Sequence, residues 1–141
     1  MSESLLHKKL VSMLLEDMKA CAGTPPPFIY ADSHGASLPP LIGNVRPDVY
    51  AHFTLQDRAI VGEAKTSVDM ESMRTLQQLE QYFEHLKRKT AGELWLAVPW
   101  VSAGAAMRIC NAIKARSGTS VAFRVSGWML GERPFSRTWH G

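Results

Sequence analysis

Three residues stand at a spacing that could support metal-assisted chemistry: Asp48, Glu63 and Lys65. Asp48 lies in Arg46-Pro47-Asp48-Val49-Tyr50-Ala51-His52-Phe53, and the other two in Ala59-Ile60-Val61-Gly62-Glu63-Ala64-Lys65. Both segments read as β-strands, joined by the polar turn Thr54-Leu55-Gln56-Asp57-Arg58. With Gln56-Asp57 as a two-residue turn, Asp48 comes opposite Lys65. Side chains alternate along a strand, so Glu63 and Lys65 share a face and Asp48 joins them. A slip of one residue would send Asp48 to the other side. The same register gathers Val49, Ala51, Phe53 and Ile60 on one apolar face. Two carboxylates this close repel unless a cation lies between them, and oxygen donors suit Mg²⁺ or Mn²⁺. An ion so held keeps positions for water and a phosphate oxygen, polarises a phosphodiester and helps generate hydroxide. A lysine beside it can orient or deprotonate the attacking water.

The pattern Pro47-Asp48, fourteen residues, Glu63-Ala64-Lys65 resembles the PD-(D/E)xK nuclease superfamily. Gln78-x-x-x-Tyr82 further resembles the motif that follows the core in RecB-like members. The resemblance spans the central half of the chain. It implies that Asp48, Glu63 and the Ala64 carbonyl bind Mg²⁺, with Mn²⁺ able to replace it, and that Lys65 serves the water. It also implies that a stripe of Gln78, Tyr82 and His85 lies over the metal and touches DNA. Some members carry a metal-associated glutamate on the first helix. Glu3 is the candidate by face, lying one turn before Leu6; its alternative is a helix-start carboxylate favoured by the dipole.

Around this centre, residues 4–20 form an amphipathic helix with the stripe Leu6, Leu10, Met13, Leu14, Met18 and a cap at Ser2 or Ser4. Pro25-Pro26-Pro27 forces an extended connector, and Phe28-Ile29-Tyr30-Ala31 is a short strand. The Gly-, Pro- and Ser-rich stretch 32–45, with His34, is a surface loop. After Lys65, a helix capped by Ser67 or Asp69 runs to Lys89, its apolar side made of Met73, Leu76, Leu79, Phe83 and Leu86. Lys87-Arg88-Lys89 closes it, either as dipole-favoured cations or as phosphate contacts. Residues 93–99 form a strand buried on both faces. Ser102 caps a helix ended by Gly118, and residues 121–125 form a last strand. The tail carries Trp128, Phe135 and Trp139 among Arg133, Arg137 and His140. It is expected to pack on its own domain or a second subunit; its other use would be stacking on unpaired bases. The order gives an α/β domain: a restriction-endonuclease-like αβββαβ core with a mixed central sheet flanked by helices, plus an extra C-terminal αβ unit.

With 141 residues, 45% hydrophobic and 21% charged, the chain has the composition of one soluble globular domain. Its net charge of +3 agrees with a polyanionic partner such as DNA. No run is long enough for a membrane span, and the polar, acidic start is unlike a signal peptide. Cys21 and Cys110 lack metal-ligand spacing and read as reduced thiols of a cytoplasmic protein. The leading expectation is a Mg²⁺-dependent DNA endonuclease or exonuclease. A domain this small would cut two strands as a homodimer, or take its substrate choice from a protein partner. The alternative is a catalytically silent nuclease-fold protein that binds DNA or regulates.

Overall fold

The computed structural model describes residues 4–20, 27–32 and 37–141. Glu3, Ser2, Cys21, Pro25, Pro26 and His34 lie outside them. The elements run α1 (Leu5–Ala20), β1 (Phe28–Ala31), β2 (Val49–Phe53), β3 (Arg58–Ala64), α2 (Ser67–Met70), α3 (Met73–Leu86), β4 (Ala91–Pro99), α4 (Ala103–Ser117), β5 (Ala122–Met129) and β6 (Phe135–His140). The six strands form one mixed sheet in chain order: β1, β2 and β3 are antiparallel, β3, β4 and β5 parallel, and β6 antiparallel again. Parallel neighbours need a crossover, which α2 with α3 supplies between β3 and β4, and α4 between β4 and β5. Among the described residues no helix is long and apolar enough to cross a membrane.

Helices flank both faces. Leu10, Val11, Leu14 and Met18 of α1 pack on Val49, Ala51, Phe53, Ile60, Ala64, Trp95 and Ala97. The other face carries Val61, Leu94, Leu96, Val98, Phe123 and Val125 under Leu79, Tyr82, Phe83 and Leu86 of α3 and Ala106, Cys110 and Ile113 of α4. Each buried aliphatic or aromatic side chain contributes about 1.5–3 kcal/mol, so the alternation along β3 pins which residues face which layer. Burial pushes the Cys110 thiol up to about 12, which leaves it inert.

Local signals explain most of the element ends. The Ser4 hydroxyl accepts the His7 amide at 3.0 Å at the start of α1. Gly118 takes φ +65° after α4, and its amide bonds the Lys114 carbonyl. Ser102, expected as a capping side chain, accepts no such bond; it closes a 3-10 turn that leads into α4.

Three further expectations are corrected. The helix after Lys65 is two helices, because the Ser72 hydroxyl accepts the Thr75 amide at 3.1 Å and starts α3 afresh. The hairpin turn spans 54–57, with a 3-10 turn and Asp57 at φ 44°, instead of two residues. Val49 then pairs with Gly62 and Phe53 with Arg58, so continuing the ladder brings Asp48 opposite Glu63, two residues from the expected Lys65. An even shift preserves faces, so the expected clustering survives. Finally, the tail is a strand: β5 extends to Met129 and β6 returns along it. Phe135, Arg137 and Trp139 alternate on one face, where Phe135 and Trp139 pack on Trp100 with ring centroids 5.9 and 5.6 Å away.

Candidate active site

Glu63 is the next-to-last residue of β3, on the face covered by α3, and only 3% of it is exposed. Tyr82, in the middle of α3, donates its hydroxyl to Glu63 Oε1 at 3.0 Å. One turn earlier on that helix, Gln78 accepts the Lys65 ammonium at 2.5 Å. The i, i+4 spacing is what lets one helix serve both residues of Glu-x-Lys. Asp48 enters from the start of β2, and its Oδ2 accepts the Ala64 amide at 2.9 Å. A strand residue sends its N–H and C=O to the same edge, so the Ala64 carbonyl opens toward Asp48 as well.

The site lies in a cleft of about 290 Å³ lined by His7, Arg46, Asp48, Glu63, Lys65 and Gln78, with Asp69, Ser72, Arg74 and Thr75 at α2 and the start of α3. His7 was not singled out from the sequence. It stands off the apolar stripe of α1, and its Nε2 lies 3.3 Å from Asp48 Oδ2. The signal that could have found it is its place beside Leu6 at the N-terminal end of the helix that covers β2 and β3.

The two carboxyls are pushed in opposite directions. Burial works against ionised Asp48, but bonds from His7, Glu63 and the Ala64 amide outweigh it and hold its carboxyl below the usual range. Burial and then the Asp48 charge drive Glu63 well above the usual range, with Lys65 and Tyr82 opposing only in part. Without a cation, two ionised carboxyls side by side repel, which favours a proton on the pair. Burial and then Glu63 push the Tyr82 phenol upward, so it remains a donor.

Asp48, Glu63, Lys65, Gln78 and Tyr82 thus converge. Other expected residues do not. His85 is one turn beyond Tyr82 and meets Tyr50 Oη at 3.0 Å, away from the acids. Lys87, Arg88 and Lys89 lie at the far end of α3, about 13 Å along the helix from Gln78 at 1.5 Å per residue. Glu84 pairs with Lys87 and Arg88 there, and Asp57 with Lys89. Among the described residues no group of three or more His, Cys, Asp and Glu side chains is arranged to hold a metal ion. The donors at hand are a carboxylate pair and a backbone carbonyl. No family model matches the chain, and neither a curated protein nor a solved structure does.

Proposed function

We propose that this chain is a metal-dependent nuclease that hydrolyses DNA phosphodiester bonds on a restriction-endonuclease-like core. The observation that carries the reading is the buried Glu63 carboxyl beside Asp48, with Lys65 held at their side by Gln78, a grouping that a simple salt bridge would not need. The donor chemistry fits Mg²⁺ or Mn²⁺: Mg²⁺ takes one or two protein carboxylates and keeps several waters. Asp48, Glu63 and the Ala64 carbonyl would hold the ion, which when bound polarises the phosphodiester and lowers the pKa of water.

The chain's own residues do the rest. Tyr82 fixes the orientation of Glu63, and the Ala64 amide fixes that of Asp48. Gln78 holds the Lys65 ammonium beside the acids, where it stabilises negative charge developing on the phosphoryl oxygens and orients the attacking water. The test is cleavage of single-stranded, duplex, flapped and branched DNA with Mg²⁺ or Mn²⁺. Cleavage that disappears in Glu63→Ala and Lys65→Ala, with both variants folded, is the expected result. Folded parent protein that binds neither ion and cuts none of these substrates would overturn the reading. Cation binding and DNA binding without any cleavage would instead mark a silent nuclease fold.

A further inference from the structure

The cleft carries two cations that the carboxylate pair does not use. Arg46 and Arg74 both line it, and both are exposed. Arg46 precedes Asp48 by two residues, and its guanidinium donates to the Pro39 carbonyl, which anchors it to the preceding loop. A guanidinium has five N–H donors, so most of its fork stays available. Arg74 is the second residue of α3 and, among the described residues, its guanidinium makes neither an ion pair nor a hydrogen bond. Elsewhere, Arg58, Lys87, Arg88, Lys89, Arg108 and Arg116 each lie 2.9–3.9 Å from a carboxylate.

The position of Arg74 is unfavourable for the helix. The first turn carries the positive end of the helix dipole, a cation there is repelled, and this turn has no acid to compensate. Its charge is also felt at the Tyr82 hydroxyl bonded to Glu63, so it acts on the same cleft. Resting on the nuclease reading above, the geometry points to Arg74, with Arg46 in the same cleft, as a clamp for the substrate phosphate next to the one cut. Guanidinium groups suit this task because they grip phosphate oxygens through two parallel bonds. The clamp holds the strand while the acids and Lys65 act on its neighbour.

The experiment is fluorescence anisotropy of labelled single-stranded and duplex oligonucleotides with the full chain in EDTA, across a salt series, alongside thermal midpoints. Arg74→Ala should weaken binding by about tenfold and reduce the slope of log affinity against log salt by about one. Arg74→Lys should keep the slope and lose only part of the affinity. The Arg74→Ala midpoint should stay level or rise, because a cation opposing the dipole is gone. Arg88→Ala, at the other end of α3, should leave binding and slope unchanged. An Arg74→Ala protein with parental affinity and slope would overturn the clamp while leaving the nuclease reading intact. So would loss of binding that only tracks a lowered midpoint. A parent that binds neither oligonucleotide in EDTA would overturn the clamp and leave the nuclease reading to the cleavage assay.

Discussion

Glu63 occupies a position that is poor for stability and good for chemistry. Its carboxyl is buried, faces Asp48 and accepts from Tyr82, so ionising it without a cation is costly. A group whose pKa is raised on folding contributes stability that is complete below its unfolded pKa and lost as pH climbs toward the folded value. The metal-free protein should therefore lose thermal stability as pH rises above about 4.5, the ordinary range of glutamate. Glu63→Gln removes that penalty. It should be more stable than the parent at pH 8 by about 1–3 kcal/mol, the scale of an uncompensated buried polar group. Mg²⁺ should raise the midpoint of the parent and leave that of Glu63→Gln unmoved. Midpoints from pH 4 to 8, with and without Mg²⁺, check this; a parent with no pH dependence above 5 would contradict it.

At the scale of elements, the hairpin and the helix contacts decide how closely the acids approach. Asp57 sits in the left-handed region at φ 44° and accepts the Thr90 amide and hydroxyl, both at 3.1 Å, which ties the hairpin turn to the start of β4. Those bonds hold its carboxyl below the usual range. Its contribution is therefore present above the unfolded aspartate pKa and is lost as pH falls through the folded value. Asp57→Asn tolerates the same backbone and keeps an acceptor, so it should flatten the acid side of the stability profile. Asp57→Ala loses both and should melt at a lower temperature than Asp57→Asn. The glycines at the packing seams should differ too. A Cβ on Gly92 would meet the Leu86 carbonyl oxygen at 2.6 Å, which is backbone and cannot yield. A Cβ on Gly62 would meet Leu14 Cδ2 at 2.9 Å, the flexible end of a side chain on α1. Gly92→Ala should cost about 1–3 kcal/mol by denaturant unfolding, and Gly62→Ala clearly less.

Across the whole molecule, the acids and the basic run of α3 sit at opposite ends of the sheet. Glu63 and Lys65 lie at the C-terminal end of β3, where ligands collect in parallel sheets. Lys87, Arg88 and Lys89 stand by the N-terminal end of β4 and are neutralised locally by Glu84 and Asp57. Replacing all three with alanine should change the salt slope of DNA binding less than Arg74→Ala alone, although it removes three charges. Anisotropy titrations of both variants decide it; a larger loss from the triple variant would extend the binding surface along the full length of α3.

The sequence by itself determined the α/β layering and the face shared by Asp48, Glu63 and Lys65. Both follow from local periodicity: two residues per repeat in β2 and β3, three to four in α1 and α3. A parity argument survives an even error, so the common face held although the hairpin register moved by two residues. A place for Gln78 and Tyr82 over the acids was implied by motif spacing, but their bonds to Lys65 and Glu63 were not. Only the tertiary structure decided the placement of His7 at Asp48, because a residue on α1 and one just before β2 meet through packing, not spacing. It also decided that Lys87, Arg88 and Lys89 stand away from the acids. A helix's direction across the sheet is fixed by the crossover from β3 to β4, and no local pattern encodes which of its ends reaches the carboxylates. The same holds for β6: its alternation is local, but becoming a sheet edge depended on Trp100 offering Phe135 and Trp139 a surface to cover.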